Sequence, residues 1–199
     1  MANLRLAFLA SNAGTAFRAI SEEIRNGNLD ATAVVVVSNR PSAGALIYAR
    51  ECNIPNMHMP TKDVEEEADG RLYDVLTKAG AELVVLSGYL RKLGPRTLAA
   101  FEGRILNVHP ALLPGYGGKG MYGRNVHQAV LNNRERVTGA TIHLVDAEYD
   151  HGRTIATAEV PIETSDDVIS VERRVMQAEC TLFVETIRKI TTGALPLPL

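Results

Sequence analysis

Asn107 and His109 sit two residues apart in Ile105-Leu-Asn-Val-His-Pro110. On an extended backbone such positions point to the same side, so an amide donor and an imidazole are presented together. Pro110 ends the strand, because it has no backbone donor and restricts the residue before it. The pair is thus expected at a strand's carboxyl end, where open α/β sheets bind ligands. Asp150, in Tyr149-Asp-His-Gly152, supplies a carboxylate. A carboxylate beside an imidazole holds its tautomer and favours its charged form, which can donate a hydrogen bond. A nearby amide can share the charge that develops on a carbonyl oxygen, and losing one such donor typically costs about 10²–10³ in turnover. The set suits attack of an amine on a carbonyl, or another acyl transfer through a tetrahedral intermediate. No Ser or Cys occupies a nucleophile elbow, so no covalent acyl-enzyme is expected. A zinc or iron site built from His109, His143, Asp150 and His151 is the competing reading. No helical His-x-x-x-His frames it, and no metal is expected.

The elements that must carry these residues follow from the apolar pattern. Residues 4–10 predict a strand, Ser11 to Thr15 a tight loop, and 16–26 a helix with Phe17, Ile20 and Ile24 on one face. Strand, small-residue loop and helix open a βαβ unit whose helix N-terminus suits an anion. Residues 32–38 are apolar on both sides, as a central parallel strand is. Residues 82–88 predict another, with Tyr89 to Leu93 just past its ligand end. Helices are expected over 42–52, 71–79, 95–101 and 124–132, and a short strand near 56–59. The acidic run from Asp63 to Asp69 predicts a solvated helix start. The period changes after residue 132: 139–145 and 154–160 predict two antiparallel strands flanking a functional loop. Asp166 is expected to cap a last helix running to about Thr191, with a loose Pro-Leu-Pro-Leu tail. The glycine-rich segment 117–123 fails the Walker A pattern, since Gly120 follows Lys119. Its place after the catalytic strand predicts that it closes over the site. The fold expected is one α/β domain over residues 1–199, a mostly parallel twisted sheet with an antiparallel C-terminal extension and helices on both faces.

The other histidines read differently. His143 lies inside a strand and is expected to be structural. His127, on a helix, is expected to be exposed or capping, and His151 faces away from its neighbour Asp150 toward solvent. Of the 199 residues 46% are hydrophobic, enough for a sizeable core. The 21 basic and 23 acidic residues leave a net charge of −2, so there is no general electrostatic case for nucleic acid or membrane. Cys52 and Cys180 are far apart and read as buried thiols in a reducing compartment. The first apolar run is too short for a signal peptide, and no stretch approaches the roughly 20 apolar residues of a membrane span. A cytoplasmic monomer or homodimer acting on small molecules is expected.

Asn107-Val-His-Pro-Ala-Leu-Leu-Pro114, together with the Asp150 loop, resembles the 10-formyltetrahydrofolate-dependent formyltransferases, and within them the branch that formylates glycinamide ribonucleotide in purine synthesis. The likeness runs from the first strand to the last helix. It implies a Rossmann-like core and direct transfer of a formyl group from 10-formyltetrahydrofolate as co-substrate. It also implies roles. Asn107 and His109 would bind the formyl oxygen as it becomes an oxyanion, and Asp150 would pair with His109 and shuttle the amine's proton. Leu90, Arg91 and Leu93 would line the folate pterin pocket, with Asp146, Ala147, Tyr149 and Asp150 in the loop closing over it. Ser11, Asn12, Ala13, Gly14 and Thr15 would cradle the ribonucleotide phosphate, and Glu179 would contact the amine substrate. Formyltransferases of methionyl-tRNA and of sugar nucleotides add a C-terminal domain, and the related deformylase adds an N-terminal one. A chain of this length is expected to hold neither.

Two positions depart from the family pattern. The first loop, Ser-Gly-x-Gly-Ser-Asn in the family, is Ser11-Asn-Ala-Gly-Thr-Ala16 here. The family's phosphate-binding arginine aligns near Gly70, with Arg71 one place off. Formyl transfer to an amino sugar or another small phosphorylated amine therefore stays open, as does a non-catalytic folate- or nucleotide-binding role.

Overall fold

A computed structural model describes residues 3–61 and 65–199. Its centre is one seven-stranded sheet in the order β3-β2-β1-β4-β5-β6-β7. The strands are β1 (Leu4–Leu9), β2 (Ala31–Ser38), β3 (Asn56–His58), β4 (Leu83–Leu86), β5 (Ile105–His109), β6 (Val137–Leu144) and β7 (Thr154–Pro161). The helices are α1 (Thr15–Arg25), α2 (Gly44–Glu51), α3 (Glu65–Lys78), α4 (Pro95–Ala100), α5 (Arg124–Asn132) and α6 (Val168–Thr191). Strands β1 to β5 pair in parallel, and β6 and β7 add antiparallel.

Alternation along β1 explains the two layers. Leu6 and Phe8 enter a core shared with α1, α2 and α6, while Ala7 and Leu9 enter the opposite one, beneath α3 and α4. Phe8, Phe17, Leu6 and Leu83 are among the side chains fully removed from solvent. Each such burial contributes about 1.5–3 kcal/mol. The chain leaves β1 toward β2 and β3 on one side and returns from β3 through α3 to β4 on the other, so a crevice opens between the carboxyl ends of β1 and β4.

Three expectations are corrected. Asp167, not Asp166, caps α6. Its carboxylate accepts the Ser170 N–H at 2.8 Å and its own N–H donates to Ser170 Oγ at 3.0 Å, a reciprocal capping box. Asp166 instead accepts from the Ser170 hydroxyl and the Glu163 N–H and pairs with Arg174. The C-terminal tail is docked: Leu195, Leu197 and Leu199 pack on the core, and the Leu199 N–H donates to Gly103 O at 2.8 Å. The acidic run is only partly a solvated helix start. Asp63 lies outside the described residues, and helix α3 is present from Glu65. Asp69 is buried and ties α3 to the start of α4, accepting from the amides of Arg96 and Thr97 and from the Thr97 hydroxyl.

Candidate active site

Strand β5 delivers Asn107 and His109 to one face at its carboxyl end. Antiparallel pairing sets His143 of β6 opposite Asn107 and Thr141 opposite His109. Cross-strand neighbours stand close enough to bond. The Asn107 side-chain nitrogen is accordingly 3.1 Å from His143 Nε2. Thr141 fastens the turn that follows: its hydroxyl donates to Ala111 O at 2.7 Å and accepts the Leu113 N–H at 3.0 Å.

The loop between β6 and β7 brings in Asp150. The Leu144 N–H donates to Arg153 O at 2.9 Å and closes the loop's base. Asp150 holds φ 56°, a left-handed conformation that aspartate tolerates better than most side chains. Its Oδ2 lies 3.4 Å from His109 Nδ1 and accepts the Gly118 N–H at 2.9 Å, while Oδ1 lies 3.6 Å from His143 Nε2. Burial works to raise the Asp150 carboxyl. The His109 hydrogen bond and charge and the Gly118 amide outweigh it and hold the group well below the usual carboxylate range. Asp150 is therefore an anion and a weak base, suited to passing a proton on rather than keeping it.

The other nitrogen of His109, Nε2, is 2.7 Å from Tyr116 O. Both ring nitrogens thus face oxygen acceptors, and a ring protonated on both satisfies both. His143 Nδ1 donates to Leu144 O at 2.8 Å, which leaves Nε2 to receive the Asn107 amide. The histidine expected to be merely structural is the partner that orients the Asn107 amide. Its signal in the sequence was its register opposite Asn107, which becomes visible only once β5 and β6 are paired.

These residues open into a cleft of about 750 Å³, walled by the 12–16 loop, residues 87–90, the 118–123 segment and one face of α6. Asn12, Ala13, Gly14, Thr15, Leu90, Tyr149, Asp150 and Glu179 line it as expected. Ser11 does not. It is buried behind the loop, where its hydroxyl donates to Asn39 Oδ1 at 2.6 Å and accepts the Leu90 N–H at 2.8 Å, locking the first loop to the end of β4. Leu93 packs in the core beneath α3, and Arg91, Asp146 and Ala147 stand outside the cleft wall. Ala147 still serves the loop: Lys92 Nζ donates to its carbonyl at 3.0 Å and lies 4.8 Å over the Tyr149 ring.

Glu179 keeps some solvent contact, yet protein crowds its carboxyl on the other sides and pushes it up to about 8. His127 is neither exposed nor capping. It is buried at the cleft wall with no partner for Nδ1 among the described residues. Burial lowers its affinity for a proton, opposed by Glu172 and reinforced by the charge on His109. His151 is exposed, as expected, beside Asp146 at 3.3 Å. Among the described residues no group of three or more His, Cys, Asp or Glu side chains is placed to hold a metal ion, and no helix is long and apolar enough to cross a membrane.

Residues 4–187 match the family model described as formyl transferase. The chain belongs to the formyl transferase family. A phosphoribosylglycinamide formyltransferase of Haemophilus influenzae is 32% identical over 97% of this chain and 90% of its own length. A chloroplastic phosphoribosylglycinamide formyltransferase of Arabidopsis thaliana is 41% identical over 94% of this chain; the chain spans 65% of that relative's length. The crystal structure of glycinamide ribonucleotide transformylase 1 from Symbiobacterium toebii superposes with a TM-score of 0.89 at 33% identity, covering 98% of this chain and 90% of that one. The expected fold, an α/β core with a mostly parallel sheet and an antiparallel extension, is borne out by the strand order and by the likeness to that crystal structure.

Proposed function

We propose that the protein transfers the formyl group of 10-formyltetrahydrofolate to the amine of glycinamide ribonucleotide. The observation that carries the reading is the convergence of Asn107, His109 and Asp150 at one end of a cleft whose other wall is the 12–16 loop. The named relatives support the choice of acceptor and donor.

The amine nitrogen attacks the formyl carbon, and the carbonyl oxygen becomes an oxyanion. One N–H of the Asn107 amide is directed to His143, leaving the other for that oxyanion. The His109 ring adds its charge, and the formyl oxygen competes with Tyr116 O for the Nε2 proton. Asp150 balances the ring and accepts the proton that the nitrogen sheds, directly or through water. Asp150 hands that proton to the folate nitrogen as the intermediate collapses, the bond from the formyl carbon to that nitrogen breaks, and tetrahydrofolate leaves. Leu90 and Tyr149 line the cleft on the folate side, with Arg91 and Leu93 in the segment behind, and Glu179 meets the acceptor amine. The charge balance and the small cleft support a small-molecule enzyme; metal-free action in the cytoplasm as a monomer or homodimer completes the proposal.

Ala16, where the family pattern closes its loop with Asn, favours a second reading in which another phosphorylated amine or an amino sugar is the acceptor. Tetrahydrofolate release from 10-formyltetrahydrofolate, followed across a panel of amines, tests both. Fastest release with glycinamide ribonucleotide supports the first reading. Fastest release with another amine replaces it, and tight folate binding without release for any amine overturns formyl transfer.

A further inference from the structure

Two cationic side chains line the cleft, Arg40 and Lys119, and neither belongs to the set that handles the formyl group. Arg40 follows β2 in the Ser38-Asn-Arg-Pro41 turn. Its Nη1 donates to Asn12 Oδ1 at 2.7 Å, so the guanidinium is tethered over the first loop. That loop has hydrogen-bonding capacity to spare: α1 has no side-chain cap, and among the described residues no acceptor meets the amides of Ala13, Gly14, Thr15 or Ala16. Lys119 comes from the facing wall, between Gly118 and Gly120, which hold φ 93° and 90° with open space where a Cβ would stand. The acids of the cleft do not call for this lysine. Glu172 is already paired with Arg124 at 2.9 Å and Asp150 with His109 at 3.4 Å, and among the described residues no ion pair joins Lys119 to Glu179, the third acid there. Arg71, one place from the position where the family carries its phosphate-binding arginine, lies on α3 and outside the cleft lining.

We propose that Arg40 and Lys119 close on the acceptor's phosphate monoester from opposite walls, taking over the task of the arginine missing near position 70. The proposal rests on the reading that the acceptor is phosphorylated. A phosphate monoester carries about −1.5 to −2 charge near neutral pH, which two cations and the open amides match. The strap that carries Lys119 also donates the Gly118 N–H to Asp150. A seated phosphate therefore draws on the same segment that steadies the proton acceptor.

The test uses ribose 5-phosphate as a probe, titrated into the wild-type protein by calorimetry, alongside KM for glycinamide ribonucleotide and for its dephosphorylated riboside. Arg40→Ala and Lys119→Ala should each weaken probe binding and raise KM for the ribonucleotide roughly 10- to 100-fold, the loss expected for one charge-assisted contact. KM for the riboside should stay as in the wild type, Lys119→Arg should recover part of the loss, and Arg71→Ala should change nothing. Unchanged probe binding in both variants, no saturable binding by the wild type, or a loss in Arg71→Ala overturns the clamp. If the probe behaves as expected but no amine is formylated, the clamp stands and the formyl-transfer reading falls.

Discussion

The side-chain nitrogen of Asn107 lies 3.1 Å from His143 Nε2 across the β5–β6 ladder, and the same imidazole nitrogen is 3.6 Å from Asp150 Oδ1. With Nδ1 donating to Leu144 O, Nε2 is an acceptor and orients the Asn107 amide, which the proposed reaction offers to the oxyanion. His143→Ala should lower kcat about 10²-fold, the cost of misplacing a reacting group by about 1 Å, with KM for folate little changed. His143→Asn restores an acceptor for the amide and should recover part of the rate. Equal kcat in wild type and His143→Ala, measured by tetrahydrofolate release, would contradict the positioning role.

Asp150 is held below the usual carboxylate range when folded, so its contribution to stability is complete above the unfolded value, about 3.9, and is lost as pH falls through the folded value. The stability difference between wild type and Asp150→Asn, from urea unfolding, should shrink as pH falls below about 4. A difference that does not move with pH would remove the ion pair from the account.

Glu179 works in the opposite direction. Its folded value of about 8 lies above the unfolded one, so the folded state holds a proton that the unfolded chain has released. Stability falls with rising pH from about 4.3 up to that value. Wild type should therefore lose more stability between pH 5 and 8 than Glu179→Gln, and the two curves should run parallel above that window. Parallel curves throughout would mean that the carboxyl is not crowded as described.

Gly152 lies against the mouth of the β6–β7 hairpin, where an added Cβ would stand 1.9 Å from Leu144 O. A backbone carbonyl in a ladder cannot give way cheaply. Gly152→Ala should cost about 1–3 kcal/mol, lowering Tm by roughly 2–12 °C at this chain length. Turnover should fall with it, because Asp150 rides on the same loop. Normal Tm and normal rate would show that the loop has slack.

How much of this was legible in the sequence depended on whether a signal was local. The continuous apolar runs of β2 and β4 and the Asn107/His109 spacing are local, and the strand's end at Pro110 follows from one residue. His143, Arg40 and His127 were not legible as site residues, because only sheet pairing and packing bring Arg40 and His127 to the cleft and His143 to Asn107. A histidine in a strand or a cationic residue in a turn looks the same wherever it leads. Glu179 came from family likeness alone, since a glutamate on a long helix is ordinarily a solvated charge. The Asp166/Asp167 choice turned on which acid has a serine three places on, and Ser170 follows the second. The tail had a readable sign in its alternating Leu195, Leu197 and Leu199.

The proposed reaction needs Asn107 and His109, with Asp150, to tame negative charge on the formyl oxygen. It is tested most directly by single-turnover formyl transfer to glycinamide ribonucleotide in Asn107→Ala and His109→Ala, with folding checked by circular dichroism. A fall of about 10²–10³ in each, with native spectra, is the predicted result. Rates within a few-fold of wild type would contradict it.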